Sequence, residues 1–112
     1  MNITGAILKR LREKNNKTLE GLATEINEKY NIDLKINEIL KGESGKSEIR
    51  YEKLKCLALY YNVTTDFLLG FDLDKFVDII DLRDDLEITK MANELKEKYS
   101  KQLTNNLNIS EK

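Results

Sequence analysis

Along most of this chain apolar residues recur at steps of three and four, the spacing that gathers them on one face of an α-helix. In "TGAILKRLREKNNK" the face is Ile7, Leu8 and Leu11, ringed by Lys9, Arg10, Arg12 and Lys14. Thr4 is the predicted N-cap and Asn15–Asn16 the predicted end. "TLEGLATEINEKY" repeats the pattern through Leu19, Leu22, Ala23, Ile26 and Tyr30, behind a Thr18 cap. Gly21 inside it costs about 1 kcal/mol relative to alanine. "SEIRYEKLKCLALYYNV" places Leu54, Leu57, Ala58 and Tyr61 on one side of another helix. "TTDFLLG" is a short helix capped by Thr64 and closed by Gly70.

"NIDLKINEILKGESGK" carries two periods at once. Ile32, Leu34 and Ile36 alternate like a strand, whereas Ile36, Ile39 and Leu40 repeat like a helix. With no partner strand in the sequence, the reading is a turn through Asn31–Leu34, then a short helix from about Lys35 to Lys41. The glycines at 42 and 45 are expected to end it. After Gly70 the character changes. Six aspartates fall within residues 71–86, the run Asp72–Asp85, and Phe76, Val77 and Ile80 form an apolar stripe among them. The acidic run reads as a solvated helix face. Ile88, Ala92, Leu95 and Tyr99 follow at steps of 4, 3 and 4, about two heptads of seam. Such a seam either packs back on its own chain or pairs with a second copy; dimerisation is the expected use. "TNNLNISEK" reads as a frayed end. These elements predict an all-α protein: a helical domain over residues 1–70, a C-terminal helical segment of one or two helices over 71–103, and a flexible tail over 104–112.

A chain of 112 residues has room for one modest core. No apolar run approaches the roughly 18 residues of a membrane span. The N-terminus lacks the basic start and apolar block of a leader, so a cytoplasmic location is expected. The single cysteine, Cys56, allows no intramolecular disulfide and reads as a buried structural thiol within "LKCLALYY". There is no histidine, which excludes a Ser–His–Asp triad and any His-containing zinc site. No enzyme activity and no cofactor are expected. The net charge of −1 is unevenly placed: residues 1–70 carry 12 Lys/Arg and 10 Asp/Glu, residues 71–112 carry 7 and 10. The N-terminal part can therefore face an anionic partner.

The stretch "KGESGKSEI" ends like a phosphate-binding loop. That loop needs G-x-x-x-x-G-K-[ST] after a strand, with its backbone N–H groups ringing the phosphates. Gly45–Lys46–Ser47 supplies the end, but Leu40 stands where the first glycine belongs. No convincing strand precedes it, and nucleotide binding is not expected.

The order of the motifs carries more information than any one of them. Gly5, Leu8, Leu11 and Arg12 come first, then Thr18, Leu22, Ala23 and Ile26 in "T-x-x-x-L-A-x-x-I". Ile39, Glu43, Gly45 and Lys46 follow in "I-x-x-x-E-x-G-K". Leu54, Leu57, Ala58, Asn62, Val63, Phe67, Leu68, Leu69 and Gly70 close the series. Over residues 3–70 the chain resembles the Cro/lambda-repressor-like helix-turn-helix (XRE) family. The resemblance implies a five-helix DNA-binding domain whose third helix enters the major groove. It assigns base reading to Lys35, Ile36, Asn37 and Lys41, and phosphate contacts to Thr18, Ser44 and Lys46. It also pairs Arg12 with Glu43. A dimeric repressor of bacterial or phage origin, bound to double-stranded DNA, is the implied function.

Several positions depart from the family pattern. Leu19 replaces a DNA-contacting glutamine, Gly42 replaces a large side chain, and Ile36 and Leu40 stand where polar groups are common. Glu38 adds a negative charge to the face meant for an anion. The alternative is a protein-binding regulator, antirepressor or antitoxin-like, that uses Leu19, Ile36 and Leu40 on the same scaffold.

Overall fold

The first helix, α1, spans Ile3–Lys14, and its cap lies two residues before the predicted one. Asn2, not Thr4, is the capping residue, and its side chain accepts from the Gly5 N–H at 2.8 Å. A cap needs extended backbone just before the first turn, and Asn2 has it, whereas Thr4 is already helical. In the computed structural model, residues 2–71 and 85–111 are described, with side chains through residue 100. Phe76, Val77, Ile80 and the acidic run before Asp85 lie outside them.

Helix α2 spans Leu19–Tyr30, and its Thr18 cap accepts from the Gly21 N–H at 2.9 Å. Asn31, at φ 54°, ends it. The next segment is not a strand. Asn27 reaches across it, accepting from the Leu34 N–H at 2.7 Å and donating to the Leu34 carbonyl at 2.9 Å. Leu34 is thereby pinned in the core.

Helix α3 spans Ile36–Ser44 and runs straight through Gly42 to Gly45, which takes the left-handed cap at φ 79°. The sequence expectation of an end near Lys41 is corrected by packing. A Cβ on Gly42 would sit 2.7 Å from Cγ1 and Cδ1 of Ile49. Ile49 thus occupies the space that a large side chain at position 42 would take. On the other side of the crossing, a Cβ on Gly5 would lie 2.5 Å from the Gly42 carbonyl oxygen and 2.6 Å from that of Glu43. Backbone meets backbone there, so α1 and α3 approach closely. Gly42 also lines a surface groove of about 310 Å³ with Leu8, Ile49, Leu54 and Leu69.

Helix α4 spans Tyr51–Tyr61 and the short α5 spans Thr65–Leu68, where Thr64 accepts from the Phe67 N–H at 3.0 Å. Asn16 and Asn62 join Asn31 with positive φ, so α1, α2 and α4 all exit through a left-handed asparagine. The core gathers Ile7, Leu11, Leu22, Ile26, Ile39, Leu57, Tyr61, Phe67 and their neighbours.

Helix α6 is one continuous helix, Leu86–Glu111. It carries on through the stretch expected to be a flexible tail. Asp85 caps it, accepting from the Ile88 N–H at 3.1 Å. Ile88 and Ala92 are buried in the core of their own chain, with Met91 and Leu95 packed beside them and α1 as neighbour. Arg10 adds an ion pair to Asp85 at 2.9 Å and a longer one to Glu87 at 3.7 Å. The expected dimer seam is corrected at these two positions: Ile88 and Ala92 have no surface left for a second copy. Tyr99 differs, remaining exposed and meeting Phe71 edge-on with ring centroids 5.8 Å apart. Among the described residues all six elements are helices, and none of them is long and apolar enough to cross a membrane.

Candidate nucleic-acid interface

Helix α3 divides cleanly. Ile39, Gly42 and Glu43 face inward, while Ile36, Asn37, Leu40 and Lys41 face solvent, with Lys35 at the cap. Positions 36 and 40 are one turn apart, as are 37 and 41, so the four make a single outward face. Ile36 is 44% exposed and Leu40 50%. Leu19 does not join them; it packs partly buried against the core. That corrects its expected role as an exposed partner-binding residue.

The carboxylate of Glu38 does not stand free on this face. Lys53, from α4, donates to both its oxygens at 2.8 and 2.9 Å, and the Lys35 N–H adds a bond at 3.1 Å. The Lys53 bond outweighs partial burial and holds the carboxyl below its ordinary value. The expected repulsion toward an anion is therefore offset by a cation 15 residues away in sequence.

Behind α3, Arg12 and Glu43 meet. Arg12 Nε donates to Oε2 at 2.7 Å and Nη2 to Oε1 at 2.9 Å, a two-pronged pair that nearly buries the carboxylate. Arg12 Nη1 also donates to the Lys17 carbonyl at 3.0 Å, which ties the α1–α2 turn to the same guanidinium. The bond to Glu43 outweighs burial and raises the arginine pKa further. Nearby, the Tyr61 hydroxyl is buried with no hydrogen-bond partner among the described residues, and burial pushes its phenol up.

The "GKS" stretch is now explicit. The Gly45 N–H turns back to the Gly42 carbonyl at 3.3 Å, and the Lys46 and Ser47 N–H groups to the Lys41 carbonyl at 2.9 and 3.4 Å. A phosphate cradle needs those donors pointing outward; here they close the end of a helix. Ser44 also donates to the Lys41 carbonyl, at 3.2 Å, so its hydroxyl proton is engaged within α3. Ser44 is itself exposed at the surface. Thr18 and Lys46 remain exposed.

Three contributors were missed from sequence. Asn27 sets the turn before α3, and its sole signal is a poor helix former placed inside a helix. Lys53 gave none, since its partner lies on another element. Tyr60, on α4, donates to Glu25, which also pairs with Lys17 at 2.5 Å. This cluster fixes the outer side of α2. Comparison with models of protein families, with curated proteins and with solved structures gives no match.

Proposed function

We propose that this chain is a sequence-specific, double-stranded-DNA-binding regulator of transcription, of the helix-turn-helix kind, acting as a dimeric repressor in the cytoplasm of a bacterium or in a phage-infected cell. The observation that carries this reading is the outward face of α3. It offers Lys35, Ile36, Asn37 and Lys41 together, while both α3 carboxylates are withdrawn into pairs with Arg12 and Lys53. Asn37 is suited to a bidentate pair with adenine and Lys41 to guanine. Thr18 at the head of α2 and Lys46 beyond α3 flank that face and suit phosphate. Of the C-terminal seam, exposed Tyr99 is the residue left to meet a second copy. A gel shift against random and genomic fragments tests the reading. Affinity is expected to fall steeply with salt as phosphate contacts release counterions. Lys41→Ala is expected to relax base preference, and Lys46→Ala to weaken all sequences alike. If no fragment binds at low salt, DNA binding is excluded. The exposed Ile36 and Leu40 then favour the second reading, a protein-binding regulator on the same scaffold, pursued by pull-down.

A further inference from the structure

Ile36 and Leu40 are the least expected residues on a surface meant for DNA, and they define what that surface selects. Each is a branched aliphatic side chain roughly half exposed, and they stand one helical turn apart. Single exposed aliphatics need no explanation. Two stacked in one ridge, beside Asn37 and Lys41, form a small apolar strip set in a polar, cationic frame. We infer that this strip reads the C5-methyl groups of thymine, so that the preferred duplex carries A·T pairs with thymine methyls at two nearby positions of a half-site. The inference rests on the DNA-binding reading above and names the bases it selects.

The chemistry is narrow. On the floor of the major groove the thymine methyl is the aliphatic group available; guanine, adenine and cytosine present N7, O6, N6 or N4. Pressed against Ile36 or Leu40, those polar edges would lose water and gain no hydrogen bond, which is a cost. The strip therefore rejects as well as selects. Its dimensions fit. Side chains at i and i+4 stand about 5–6 Å apart. Base pairs rise about 3.4 Å, so the strip spans one to two steps. Asn37 on the same face favours adenine, which agrees with an A·T-rich contact. A protein partner is a poorer fit, because the strip is only two side chains wide and lysines 35, 41 and 46 border it. The two carboxylates of α3 are already engaged, Glu43 by Arg12 and Glu38 by Lys53.

The test begins with the full-length chain and a duplex selected from a random pool. Each thymine in that duplex is replaced singly by deoxyuridine, which removes the methyl and leaves the pairing unchanged. At one or two positions the affinity is expected to fall about three- to fivefold, the worth of one buried methyl. Ile36→Ala and Leu40→Ala should each abolish the thymine–uracil difference at one of those positions. Circular dichroism checks that these surface variants stay folded. Selected duplexes that bind equally well with uracil throughout, or that lack thymine, overturn the inference while leaving DNA binding intact. A pool that yields no bound duplex removes the DNA-binding reading itself, and this inference with it.

Discussion

Arg12 ties three elements together with one guanidinium: α1, which carries it, the α1–α2 turn at Lys17, and α3 at Glu43. Deleting either member of a nearly buried pair leaves the other charge without its partner. Glu43→Ala is expected to lower unfolding stability by about 2–4 kcal/mol in a urea titration. Tyr61→Phe, near enough to feel the charges of the same pair, should change it by less than about 0.5 kcal/mol, since the hydroxyl has no partner among the described residues to lose. A loss above about 1 kcal/mol there would reveal a water bridging it. Two other residues contribute to the pH dependence, with opposite signs. The Glu38 carboxyl is held down by Lys53, so its folded pKa lies below its unfolded one. Its contribution is present above the ordinary carboxylate range and is lost as pH falls through the depressed value. The Tyr60 phenol is raised from 10.0 to about 12, first by burial and then by Glu25. Its contribution is complete below the ordinary phenol value and is lost as pH rises toward the folded one. Lys53→Met should flatten the acid limb of a stability–pH profile, and Tyr60→Phe the alkaline limb.

Among elements, the α1–α3 crossing decides where the candidate interface sits. Gly42 is the odd residue there, and its cost is set by Ile49. Gly42→Ala gains about 1 kcal/mol of helix propensity but pushes a methyl into Ile49, an overpacking cost of about 1–3 kcal/mol. Alone it is expected to be neutral to destabilising. In an Ile49→Ala background the same change should stabilise by about 1 kcal/mol, the propensity gain without the clash. A urea double-mutant cycle reads the sign reversal. This crossing also separates what the sequence could reveal from what it could not. Helices α1, α2, α4 and α5 were legible because apolar faces, and for α2 and α5 the threonine caps, are local patterns. The end of α3 was not, because a glycine reads as a stop unless one knows that Ile49 returns to fill the space. Lys53 and Asn27 escaped for the same reason: each acts on a partner that only the fold brings near.

For the whole molecule, the open question in the sequence was the partner of the last helix. Periodicity showed that Ile88, Ala92, Leu95 and Tyr99 share a face, but a face does not name what covers it. In the folded chain α1 and the core cover the first part, and Tyr99 stays outside. Stability and self-association should therefore separate. Ile88→Ala is expected to cost about 2–4 kcal/mol in thermal or urea unfolding, as for a fully buried aliphatic. Tyr99→Ala should cost no more than about 1 kcal/mol, the loss of its edge-on contact with Phe71, and reduce self-association in sedimentation. The reverse pattern would mean that α6 leaves its own core to pair. The left-handed asparagines that end α1, α2 and α4 bear on how long the molecule keeps its chemistry. An asparagine loses its amide when the next backbone nitrogen attacks its side-chain carbonyl. After Asn16 that nitrogen, on Lys17, is bonded to the Arg12 carbonyl at 3.1 Å; after Asn62 it is on Val63, bonded to the Ala58 carbonyl at 3.0 Å. Both nucleophiles are held by the helix that each turn closes. Ageing at these two asparagines is thus gated by the opening of α1 and α4, and their deamidation in storage becomes a slow clock for how often each helix end comes undone.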